Sequence, residues 1–177
     1  MLTPLAPADG EAILPLDLLK ARVRVLSSDE DLDLERMRAQ AINFVERYSG
    51  CALQRRQFMA SDRQFCASMR LPIGPVQSVD KIAYVAADGA IVELEAGAWY
   101  AGGSVVQPRA GTHWPYASGQ EGAVRITLTA GFENAENEAP MLIAAVEVGV
   151  AALRASRDAP DWSAAMACAD SYRMPGL

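Results

Sequence analysis

Between residues 68 and 132 apolar and polar residues alternate in short runs, and each run is closed by residues that reverse a strand. The first is Leu71-Pro72-Ile73-Gly74-Pro75-Val76-Gln77-Ser78-Val79, followed by Ile82-Ala83-Tyr84-Val85. Asp88-Gly89 separates these from Ile91-Val92-Glu93-Leu94, and Val124-Arg125-Ile126-Thr127-Leu128-Thr129-Ala130-Gly131-Phe132 closes the block. A period of two puts one set of side chains on one face of a sheet, so the stretch reads as a small antiparallel β unit. Asp88-Gly89 sets its hairpin, because both central positions of a tight turn prefer residues that tolerate positive φ. The Gln54 to Asp62 stretch, with Arg55 and Arg56 before Phe58 and Met59, reads as an edge strand entering this unit. Helical patterns lie on both sides, which makes the expected class α+β, with N-terminal helices and a C-terminal helix packed on a β unit of about residues 52–132.

Residues 1–14 hold two prolines and no period, and read as an arm that is ordered only if something holds it. Pro15 suits the first turn of a helix carrying Leu16, Leu19 and Val23. Ser27-Ser28-Asp29-Glu30-Asp31 offers hydroxyls and carboxylates to the free N–H groups of the next helix, whereas a calcium loop would need a glycine and a terminal glutamate that are missing. Leu34, Met37, Ala41, Phe44, Val45 and Tyr48 then keep a three-to-four spacing up to Gly50, a left-handed C-terminal cap. A last helix over residues 141–157 begins near Pro140 and is apolar nearly all round, with Ala144, Ala145, Gly149, Ala151 and Ala152 among Ile143, Val146, Val148, Val150 and Leu153. Such a helix is either the domain core or a face for a neighbouring subunit.

Length and composition narrow the function classes. At 177 residues the chain is one domain's worth and can bury about 70% of its unfolded surface. Cys51, Cys66 and Cys168 are odd in number and form no CxxC pair, which reads as reduced thiols rather than a disulfide framework or a zinc site. With no signal-peptide pattern and no apolar run of membrane-spanning length, the expectation is a soluble protein made in the cytosol. Twenty-two acids against sixteen bases argue against a broad grip on nucleic acid, which clustered Lys and Arg supply. His113 is the single histidine, and no GxSxG, P-loop, HExxH or dinucleotide fingerprint occurs, so no catalytic, cofactor or metal residue is nominated. The bases are nearly all arginine, the side chain suited to planar contacts at interfaces.

Two stretches carry interface chemistry instead. Residues 102–122 have glycines, prolines and the cluster His113-Trp114-Pro115-Tyr116, with too little periodicity for an element, and read as a loop held against a neighbour. Residues 158–177 hold Trp162, Met166, Tyr172, Arg173, Met174 and Pro175, residue types enriched at protein hot spots. They read as an extended tail that docks on a partner and that could be removed without unfolding the rest, the alternative being a tail folded back on its own domain. Arg55, Arg56 and Arg63 leave a second possibility, a monomeric nucleic-acid-binding accessory protein.

Taken in order, these residues resemble the head-tail connector, or adaptor, proteins of tailed phages and phage-like gene transfer agents. The resemblance rests on Leu18, Lys20 and Val23-Arg24-Val25, the acidic 28–31 loop, and the helix ending Phe44-Val45-Glu46-Arg47-Tyr48-Ser49-Gly50. It continues through the 71–79 segment, Tyr84, Asp88-Gly89, Trp114-Pro115, the 124–132 strand and Ser171-Tyr172-Arg173. It covers nearly the whole chain, and departs where Ala167-Cys168-Ala169 stands in place of leucines. What it implies is a connector domain of residues 1–157 and a portal-docking tail of residues 158–177. Copies would form a ring, dodecameric in such adaptors, under the portal protein and above the next neck protein, a stopper or tail terminator. DNA would pass through the channel without specific binding, and Trp162, Met166, Tyr172, Arg173 and Met174 would dock on the portal. His113, Trp114, Tyr116, Arg55 and Arg56 would serve subunit or neck contacts.

Overall fold

The computed structural model describes residues 1–174, so Pro175 and the two residues after it, the end of the expected tail, lie outside the described residues. The class is α+β, and the chain forms two compact units. One joins Met1–Pro7 to Arg55–Gly131; the other joins residues from Ala8–Gln54 to those from Phe132 onward.

The first unit is all β. Its larger sheet contains β1 (Leu2–Pro4), β2 (Arg56–Asp62), β4 (Val76–Val85), β5 (Ile91–Glu93) and β8 (Val124–Ala130), in the antiparallel order β1-β2-β8-β4-β5. The register sets Phe58 opposite Leu128, with Ile126 opposite both Ala60 and Ile82; all five are buried. Their neighbours Gln57, Thr127 and Thr129 take the other face, as alternation requires. The sequence expectation for β2 needs correcting: it is no edge, because the N-terminal arm pairs with it as β1. The hairpin also differs in detail. Ala86 accepts from the Gly89 N–H and donates to Ala90 O, so the loop is Ala87-Asp88-Gly89, and glycine alone takes the left-handed conformation, at φ 87°.

A second, three-stranded sheet lies where the sequence shows only loop. It consists of β3 (Met69–Arg70), β6 (Trp99–Gly102) and β7 (Val105–Pro108), in the order β3-β7-β6. The 102–122 stretch therefore begins as a hairpin turning at Gly103-Ser104, with Gly103 at φ 56°. Strands of two to four residues are too short to declare a period.

The second unit is helical: α1 (Gly10–Ile13), α2 (Leu16–Val23), α3 (Asp31–Ser49), α4 (Ala135–Glu138), α5 (Pro140–Ala155) and α6 (Ser163–Ala169). Asp9 caps α1 by accepting from the Glu11 and Ala12 N–H groups, and Gly50 closes α3 at φ 74°. The acids before α3 act differently from the expectation. Glu30 holds the cap position without a side-chain cap bond. It meets Arg154 instead, while Asp31 meets Lys20 and Asp33 meets Arg157, at 2.7–3.0 Å. These carboxylates still favour the positive end of α3 while tying it to α2 and α5.

Leu34, Met37, Ala41 and Val45 of α3 and Leu142, Val146, Val150 and Leu153 of α5 belong to one buried cluster, and Gly149 of α5 is buried as well. Of the two readings of α5, the core is the one observed. The second difference is the tail. Residues 163–172 are α6 and a 3-10 turn rather than an extended strand, and Ala165 and Ala169 join the same cluster. Gly149 explains the close fit: a Cβ there would stand 2.8 Å from Trp162 Cζ3 and 3.2 Å from Ala41 Cβ. Removing this segment would uncover the part of the cluster that Trp162, Ala165 and Ala169 cover. Gly149→Val should lower stability by about 1–3 kcal/mol through overpacking, read as the midpoint of chemical denaturation. Combining it with Trp162→Leu should cost less than the two changes summed, and strict additivity would show that the seat is loose.

Candidate functional site

Four of the five residues expected to dock on a partner converge on the C-terminal half of α3. Trp162 stacks on Phe44 with ring centroids 4.0 Å apart and planes 18° from parallel, and Phe44 lies over Tyr48 at 6.0 Å. Phe44 and Tyr48 are four residues apart on one helix, which is why they share a face. The Tyr48 hydroxyl donates to Asp170 Oδ1 at 2.5 Å, and the Arg173 guanidinium sits 5.2 Å from the centre of the Tyr48 ring. The Met174 N–H donates to Ser49 O at 2.9 Å, and Cys51 Sγ lies 3.5 Å from Tyr172 O. Trp162, Tyr172 and Met174 are half-buried against the helical core, while Arg173 stays exposed. Met166, in α6, is half-buried. Residues 162–174 thus form a strap across α3, tied at both ends by an aromatic contact.

The strap's chemistry is directional. The bond to Asp170 raises the Tyr48 phenol above its usual 10.0, because it favours the protonated donor; the nearby carboxylate charge adds to this and Arg173 opposes it. Burial likewise raises the Cys51 thiol.

The other expected contact residues lie in the β unit and are only partly gathered. Trp114 stacks on Phe65 at 4.7 Å, its indole N–H donates to Cys66 O at 2.8 Å, and Phe65 meets Tyr84 edge-on at 5.8 Å. Trp114 therefore anchors its own loop, leaving His113 and Tyr116 exposed, Tyr116 to 75%. Arg55 is exposed and Arg56 lies half-buried over the Phe58 ring, 4.8 Å from its centre. Arg63 follows the far end of β2, roughly 23 Å from Arg56 at the rise of a strand, and pairs with Glu121 at 2.6 Å. The three arginines of the nucleic-acid reading do not make one patch. Among the described residues no group of three or more His, Cys, Asp or Glu could hold a metal, and no helix is long and apolar enough to cross a membrane.

Sequence reasoning passed over Phe44, Tyr48 and Asp170. The first two were legible as core positions of α3; that a residue more than 120 positions away would bond to Tyr48 has no local signal.

No protein-family model and no curated protein sequence matches the chain. Solved structures do. A chain in the neck of an empty gene transfer agent particle, computed with sixfold symmetry, matches with a TM-score of 0.81 at 23% identity. A chain of the native gene transfer agent virion matches at 0.78 and 25%, and one from the native neck with twelvefold symmetry at 0.77 and 24%. Each alignment covers 100% of this chain and 97% of the other. The chain shares its fold with gene transfer agent neck proteins. That agrees with the connector resemblance carried by the residues, and the alignments run from end to end.

The Tyr48 contact gives a pH dependence with a defined sign. A group whose folded value is raised contributes stability in full below its unfolded value and loses it as pH rises through the folded one. The strap should therefore hold up to about pH 10 and loosen above it. An ultraviolet titration should show one tyrosine ionising after the others, and Tyr48→Phe should remove that late step.

Proposed function

We propose that this chain is a structural component of the neck of a gene-transfer-agent-like or tailed-phage particle, acting there as the head-tail adaptor. The observation that carries the reading is the end-to-end likeness to neck chains, which leaves almost no residue of either chain outside the match. Copies would form a ring, with twelve as the expected number, joining the portal protein above to the next neck protein below. The solved necks were computed with sixfold and twelvefold symmetry, which suits a ring. The role is mechanical rather than enzymatic, and an overall charge of -6 suits a wall past which DNA moves without being held by counterion release.

In this reading the portal contact is made by a folded strap rather than a free tail. Trp162, Tyr172 and Met174 give the strap its shape, and Arg173, exposed beside Tyr48, together with Met166 offers atoms to the partner. An arginine stacked on an aromatic ring is already ordered, so little side-chain freedom is lost when a partner carboxylate meets it.

The test is capture by portal rings of the same particle. The wild-type chain should be retained, and Arg173→Glu should weaken retention by about tenfold or more, the loss of one hot-spot contact, while circular dichroism stays unchanged. Deleting residues 158–177 is a poorer test, because it uncovers the α3 and α5 core. Wild-type retention with no loss in Arg173→Glu would remove the strap from the portal contact; no retention of the wild type would remove the adaptor reading.

A further inference from the structure

Charge is unevenly divided between the two units. The β unit carries seven basic and six acidic side chains, a net of +1; the helical unit carries nine and sixteen, a net of -7. The whole acidic excess of the protein therefore belongs to the helical unit. Each unit exposes several large apolar side chains, and in each one such feature stands out by its backbone.

In the β unit that feature is the edge strand β6. Native sheets blunt their edges with proline, charge or extreme shortness. β1 has Pro4; β3 is two residues long and includes Arg70; β5 is three residues long and ends at Glu93, paired with Lys81. β6 reads Trp99-Tyr100-Ala101-Gly102, with no charge and no proline, and it is bonded to β7 alone. Tyr100 is 64% exposed, and the exposed Arg109, whose N–H donates to Ala98 O just before β6, puts a positive charge at the end of the edge. In the helical unit the feature is the irregular segment between α2 and α3. Leu26 is fully exposed at 100%, Leu32 is 71% exposed, and Asp29 lies exposed between them. Val25 is buried with its N–H on Lys20 O, while Leu26 and Ser27 beyond it belong to no helix, strand or turn, so their backbone can pair with an edge.

We infer that β6 of one copy receives the 26–29 segment of the next, with Leu26 against Tyr100 and Asp29 facing Arg109. The inference rests on the ring reading and gives it a contact: two different faces of the same chain, as a ring requires, since a surface that pairs with itself closes at two copies. Charge selects the pairing. The β unit of one copy is drawn to the acidic helical unit of another, while two helical units, each at -7, repel.

The experiment uses two full-length variants, Leu26→Asp and Tyr100→Asp. Both positions are exposed, and circular dichroism confirms that each variant keeps its fold. Sedimentation of the wild type at rising concentration should show self-association that weakens with salt. Each variant alone should associate at least about tenfold more weakly, as expected for an interface hot spot. Their equimolar mixture should form a discrete pair that grows no further, because one variant keeps a sound edge and the other a sound segment. Either variant assembling like the wild type would overturn the contact. So would a mixture that stays monomeric, or a wild type with no self-association at the highest attainable concentration. Wild-type retention by portal rings under any of these outcomes would leave the adaptor reading standing, so the two failures are separable.

Discussion

The helical unit depends on a missing side chain. Because Gly149 projects nothing, α5 can lie against Ala41 of α3 on one side and admit the edge of the Trp162 ring on the other, at distances that leave no room for a methyl group. Trp162 then has a fixed place from which to stack on Phe44, and the strap that follows it reaches Tyr48 and Ser49. Glycine within a helix costs roughly 1 kcal/mol relative to alanine. Here that cost is offset by burial on three elements at once.

The polar contacts around this core are of a different weight. The ion pairs joining α2, α3 and α5 sit on partly exposed side chains, where screening leaves each worth little. Their value is orientation: Lys20 of α2, Arg154 of α5 and Arg157 just beyond α5 reach acids at the start of α3. Arg38 is the exception. It is buried, it donates to Leu14 O, and it holds Glu11, whose carboxyl that bond keeps below its usual value. That pair fixes the short α1 turn against α3.

How much was legible follows from which signals are local. Long elements with a clean period were readable: α3 with its glycine cap, α5 with its proline start, and the strands about Ile82 and Ile126. The N-terminal arm was not, because three residues become β1 only by pairing with β2. The small sheet of β3, β6 and β7 was missed for the same reason. The strap was read as an extended tail, and it is a folded segment. Trp162, Tyr172 and Arg173 carry the composition of an interface whether the partner is another protein or their own helix α3, and composition does not say which. Trp114 shows the same ambiguity on a smaller scale, since its indole is spent on Phe65 and Cys66.

The way β2 pairs with β8 also bears on how the chain can fold. Arg56 stands opposite Ala130, so the sheet brings together two of the three points at which the chain passes to and from the helical unit. Bringing α3 and α5 together across an unstructured insertion of roughly 80 residues would cost about 4 kcal/mol in length-dependent closure entropy. A sheet formed first acts as a clasp: it closes that loop beforehand, and the Phe132 N–H then finds Ala52 O close by. Contacts that are distant in sequence would thereby become short-range in effect, so a sheet outside the helical core would bear on how fast that core can form.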